Sequence, residues 1–146
     1  MAYSQARRPS KVRIPFVANV AIGTNAIFGT LIAPFPGELL STQLENGASV
    51  SVNATDFNIF SVQKSVNSNM ASNVQMASHN CGATALTANV PVNMTLNTTI
   101  ASCRVNAGDY IQVWKNATLN GTAGSANVTG GATLFFIWDN YDHTNG

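Results

Sequence analysis

From Val12 to Ile22 every second residue is apolar: Val12, Ile14, Phe16, Ala18, Val20 and Ile22. That period of two is the signature of a strand with one buried face, and the span reads as a strand. Shorter segments with strand character follow at Ala26 to Ile32, Leu39 to Leu44, Ser49 to Val52 and Phe57 to Val66. More come at Leu86 to Leu96, Cys103 to Val105, Tyr110 to Trp114 and Ala132 to Trp138. Turn chemistry separates them: Ala33-Pro34-Phe35-Pro36-Gly37, Asn46-Gly47 and Asn106-Ala107-Gly108-Asp109. Many short strands, many turns and no convincing helix predict an all-β, antiparallel β-sandwich, with the jelly roll as the best single topology. Residues 67–84 are rich in Ser, Asn and Ala and read as an ordered loop, with a short helix as the alternative; residues 116–131, small and polar, read as a loop. Ala132 to Trp138 is nearly all apolar and is expected at the centre of a sheet or under an interface.

A chain of 146 residues fits one domain, which buries roughly 70% of its unfolded surface on folding. We divide it into a basic N-terminal arm, residues 1–13, and a single sandwich domain, residues 14–146. Arg7, Arg8, Lys11 and Arg13 give the arm a charge of +4 with no acid. The remaining three bases, Lys64, Arg104 and Lys115, face six acids, so the body carries −3. Pro9 discourages a helix, and the arm is expected to be extended. Pro15 cannot donate to a ladder, which places its part of the first strand on a sheet edge.

Charged residues make up only 9% of the chain, against about 25% in ordinary soluble domains. Asn, Thr, Ser and Ala stand in their place. Such a surface hydrogen-bonds but repels its like weakly, which favours packing into a larger assembly. No apolar run is long enough to span a membrane and no leader segment is expected. Cys81 and Cys103 read as two reduced thiols, with one disulfide between them as the alternative.

Chemistry is sparse. His79 and His143 fall in no catalytic pattern, and no nucleophile elbow, phosphate-cradling glycine loop or dinucleotide fingerprint is present. His79, Cys81 and Cys103 lack the paired spacing of a structural zinc site. The expectation is a protein that is not an enzyme, with no cofactor and no metal.

The candidate binding residues are therefore protein-binding ones. Arg7, Arg8, Lys11 and Arg13 could draw the arm to an acidic surface, with Ile14 and Phe16 continuing it as an edge strand that pairs outward. A solvated arm and a nucleic-acid contact are the competing readings. Four charges give only weak, salt-sensitive nucleic-acid binding, and no aromatics interleave with them. Phe35, held between Pro34 and Pro36, is either a rigid apolar anchor at an interface or a cap on the end of the sandwich.

One longer stretch carries a resemblance. Thr95-Leu96-Asn97-Thr98-Thr99 leads to Cys103-Arg104-Val105-Asn106-Ala107-Gly108-Asp109-Tyr110-Ile111-Gln112-Val113, then a Gly-rich loop and the strand Ala132 to Trp138. With the upstream strand Phe57 to Val62, this resembles small jelly-roll proteins of tailed-phage virions, the capsid decoration (cement) proteins. The arm and the Pro-Phe-Pro turn are not part of the pattern, and it fixes no set of functional residues. The resemblance implies a virion structural protein on the capsid surface, made in the host cytoplasm. It also implies a homotrimer that binds the major capsid protein and reinforces the shell. Two other readings stay open: a small icosahedral coat protein with an RNA-contacting arm, and a tail-fibre or carbohydrate-binding sandwich module.

Overall fold

The computed structural model describes residues 6–16, 25–55, 57–117 and 129–140. Within them lie β1 (Ala6–Pro15), β2 (Ala26–Ile32), β3 (Gly37–Asn46), β4 (Asn58–Ser65) and β5 (Val74–Asn80). Then come β6 (Val92–Asn93), β7 (Thr95–Leu96), the four-residue helix α1 (Ile100–Cys103), β8 (Arg104–Val105), β9 (Tyr110–Ala117) and β10 (Gly130–Asn140). Every strand pairing is antiparallel. One sheet runs β1-β10-β3, with the short β6 and β8 both beyond β3; the other runs β2-β9-β4-β5-β7. The first strand thus pairs with the last and the second with the last but one. That nested wrap of two antiparallel sheets is a jelly roll.

Alternation decides which side chains meet between the sheets. Ile14, Leu39, Leu44, Leu134 and Phe136 come from the first sheet, and Phe60, Val62, Ile111 and Val113 from the second. Each fully buried side chain of this size contributes about 1.5–3 kcal/mol. Phe16 joins the sheets, with its ring 4.2 Å from that of Phe28 and 5.8 Å from that of Phe60. Lys115 occupies an inward position opposite Phe60 and Ala26 and is fully buried. Desolvation pulls its pKa down, and the residue keeps an interaction of its own.

β2 spans the segment expected of it, the Pro34-Phe35-Pro36 turn follows, and β10 lies between β1 and β3 as an interior strand. Four expectations need correction. The first strand begins at Ala6, so residues 6–13 of the arm are paired to β10 and the strand runs through the boundary at residue 13; Val17 to Ile22 lie outside the described residues. Ser49 to Val52 shrinks to one bridge, Val50 to Leu86.

The segment Leu86 to Leu96 is not one strand. Asn89 takes a positive φ of 58°, which breaks extended pairing. Val92–Asn93 then pairs with β3, Met94 donates its N–H to Thr42 O at 2.9 Å, and Thr95–Leu96 pairs with β5 of the other sheet. The alternation there marks a chain passing from one sheet to the other.

The loop expected over 67–84 contains β5. A bulge opposite Val62/Gln63 turns two adjacent residues, Met76 and Ala77, into the core. The period of two is lost at the point where it would have revealed the strand.

Candidate protein-binding surface

The backbone of β1 determines what its side of the molecule offers. Phe16 N–H donates to Gly130 O at 2.8 Å, and the register from Ala6↔Asn140 to Pro15↔Gly131 is unbroken. Even-numbered residues therefore turn their backbone groups to β10, and odd-numbered ones turn theirs to the free edge. Side chains follow the same alternation. Ile14 and Phe16 are core residues, 6% and 8% exposed, which removes them from the docking set expected from the sequence. Lys11 and Arg13 point out into solvent. Arg7 and Arg8 lie within β1, with side chains outside the described set.

The free edge carries Arg7, Pro9, Lys11, Arg13 and Pro15. Two of these five have no N–H and the other three are basic. Proline and positive charge are the usual means of keeping an edge from pairing with another strand. Outward strand pairing by the arm is disfavoured for that reason, and the binding capacity of β1 lies on its outer face.

That face gathers most of the charge among the described residues. Lys11, Arg13, Glu38, Glu45, Arg104 and Asp139 all occupy outward positions on the β1-β10-β3 sheet or on β8 beside it. Arg13 Nη1 lies 3.5 Å from Glu45 Oε2, and Arg104 Nη2 donates to Asp139 Oδ2 at 3.0 Å. Such exposed pairs contribute about 0–1 kcal/mol each. The other described charges are turned elsewhere. Lys64 Nζ donates to Ala101 O and Arg104 O, buried Asp109 accepts from the Asn106 N–H, and Lys115 is in the core. Burial also pulls Lys64 below the ordinary lysine value, while Asp109 and Cys103 oppose that shift.

Lys11 differs from the two arginines. Among the described residues it has no carboxylate partner; its ammonium stands 5.7 Å from the centroid of the Phe135 ring. Beside it the pairing of β10 with β3 slips at Phe135/Phe136. Leu40 is the residue of β3 that the slip leaves unpaired, and it is 48% exposed. A groove of about 380 Å³ opens there, lined by Pro9, Ser10, Lys11, Leu40, Ser41 and Phe135. Nothing in the sequence marked it, because the groove depends on a bulge that joins three strands distant along the chain.

The outer face of the second sheet is chemically opposite. Gln112 Nε2 donates to Thr30 Oγ1 at 3.0 Å, Trp114 Nε1 to Gln112 Oε1 at 2.8 Å, and Gln63 Nε2 to Ser61 Oγ at 2.9 Å. Ile27 and Ile32 stand exposed on its edge strand. Among the described residues no charged side chain points out of this face. Phe35 is at the turn joining β2 to β3 and is 45% exposed.

The remaining polar candidates sit apart. His79 is buried, its Nε2 within 3.2 Å of Thr84 O, and desolvation lowers its pKa. Cys81 and Cys103 are buried free thiols, and burial pushes Cys81 up to about 11. Among the described residues no three His, Cys, Asp or Glu side chains are grouped to hold a metal ion, and no helix is long and apolar enough to cross a membrane.

Fold and surface together define an all-β jelly-roll sandwich with one charged outer face and one that is uncharged among the described residues. No protein-family model matches the chain, and no curated protein matches it. Among solved structures it is similar to a chain in the structure of infectious bursal disease virus Gx strain, with a TM-score of 0.48 and 11% identity. The match covers 93% of this chain and 33% of that one.

Proposed function

We propose that the chain is a virion structural protein: a capsid decoration, or cement, protein that docks on the outer surface of a shell built by a major capsid protein and stabilises it. The observation that carries this reading is the division between the two outer faces. A charged, grooved face suits docking to a foreign surface, where charge sets register and partner choice. An uncharged face that exposes Ile27, Thr30 and Ile32 beside the half-buried Trp114 suits packing against copies of itself, because interface centres are poor in charge and rich in apolar and aromatic groups. A homotrimer built through the uncharged face leaves the charged face free for the shell. The resemblance of the segment from Phe57 to Trp138 to phage decoration proteins supports the same assignment.

The mechanism is binding without catalysis. Anything that binds the assembled shell and not its dissociated subunits stabilises the shell by mass action. Repeated weak contacts from an oligomer multiply that effect through avidity. The coat-protein reading is weaker because the four basic residues of the arm lie in a paired strand, with Arg13 engaged by Glu45. An arm that contacts RNA has to be free to reach it.

Gradient-purified virus particles test the assignment. The chain should cofractionate with intact particles at a fixed ratio to the major capsid protein, and electron microscopy should place it on the outside. Recovery only from the soluble host fraction overturns the assignment.

A further inference from the structure

Resting on that reading, we infer that the groove beside Lys11 is the docking pocket for the shell, and that its occupant is an apolar side chain flanked by a carboxylate on the major capsid protein. Phe135 forms the floor, Leu40 one wall, and Pro9, with its fixed backbone torsion, the other. An exposed leucine beside an aromatic ring loses water favourably when an apolar side chain fills the space between them. The ammonium of Lys11 stands over that floor. The arginines described on the same face already hold Glu45 and Asp139, whereas Lys11, among the described residues, holds only a ring, so it is the cation available to an incoming acid.

Charge complementarity selects this occupant. Lys11 is the base on this face that no described carboxylate offsets, so the potential at the groove favours an acidic segment. A phosphate would satisfy Lys11 but brings no aliphatic group for the space between Leu40 and Phe135. A second copy of β1 would bring like charge.

Amide chemical shifts of the isotope-labelled full chain test the pocket. The probe is the blocked tripeptide acetyl-Asp-Leu-Glu-amide, with acetyl-Asp-Ser-Glu-amide and acetyl-Lys-Leu-Lys-amide as controls. The acidic leucine peptide should shift Lys11, Leu40 and Phe135 together. Lys11→Glu or Leu40→Ser should weaken its binding tenfold or more. Ser68→Ala, in the exposed turn after β4 and on neither outer face, should leave it unchanged. Equal binding of all three peptides, shifts confined to other residues, or variants that bind as the parent does overturn the inference. So does an oligonucleotide that shifts these residues when the peptide does not, or self-association of the parent that Lys11→Glu abolishes.

Binding to undecorated particles separates the two claims. Parent that binds while Lys11→Glu and Leu40→Ser do not supports both. Parent and variants that bind equally leave the cement assignment standing and overturn the pocket. Parent that fails to bind overturns the cement assignment and with it the shell as occupant.

Discussion

Arg13 of β1 lies across Gly131 of β10. A Cβ built on that glycine would stand 3.2 Å from both Cζ and Nε of Arg13 and 2.9 Å from the backbone oxygen of Ile14. The missing side chain lets the guanidinium cross β10 and reach Glu45 on β3, which the register places directly opposite Gly131. Gly131→Ala should therefore cost about 1–3 kcal/mol, because its methyl meets a backbone carbonyl that cannot easily move. Arg13→Ala, which removes only an exposed ion pair, should cost no more than about 1 kcal/mol. Urea unfolding of both variants checks the order; a Gly131→Ala cost no larger than that of Arg13→Ala contradicts the crossing.

The prolines of β1 make a second prediction. Pro9 and Pro15 aim their nitrogens at the free edge, so Pro9→Thr combined with Pro15→Thr restores two outward donors. The double variant should form larger, concentration-dependent species in sedimentation velocity than the parent does. Identical sedimentation would mean that the prolines do not guard the edge.

His79 makes stability depend on mildly acidic pH. Its folded pKa is lowered from 6.5, chiefly by desolvation, so the unfolded chain binds the proton more readily. The neutral ring's contribution is present above 6.5 and is lost as pH falls toward the lowered folded value. His79→Gln should flatten the fall in urea midpoint between about pH 7.5 and 5. A parent whose midpoint does not change over that range, or a variant with the same slope, contradicts the prediction.

Burial should also keep the thiols silent. Cys81 is raised from 9.0 to about 11 by desolvation, and Cys103 is raised for the same leading reason. A thiol reagent at about pH 8 should modify neither in the native protein and both in denaturant. Fast native labelling would show that one of them is reachable. The protonated Cys81 contributes stability below 9.0 that is lost as pH rises through about 11.

Legibility followed regularity. β2, the Pro34-Phe35-Pro36 turn and β10 were readable because propensity, alternation and turn residues agree there. β5 was hidden where Met76 and Ala77 both turn inward at a bulge. Leu86 to Leu96 looked continuous because alternation records inside and outside but not which sheet a residue joins. For the surface, the alternation along β1 already separates Lys11 and Arg13 from Ile14 and Phe16. The docking set expected from the sequence joined the four basic residues of the arm to Ile14 and Phe16, which that alternation turns to the other side. Gly131 beneath Arg13 and Leu40 beside Phe135 are relationships between strands, which a pattern along one strand does not contain.

A cement protein stabilises a viral shell by binding its outer surface. Purified protein added to undecorated particles, followed by thermal or osmotic rupture, measures that directly. Saturable binding and a rise in rupture temperature with occupancy are predicted. Particles that bind none of the protein and rupture at an unchanged temperature would contradict the account.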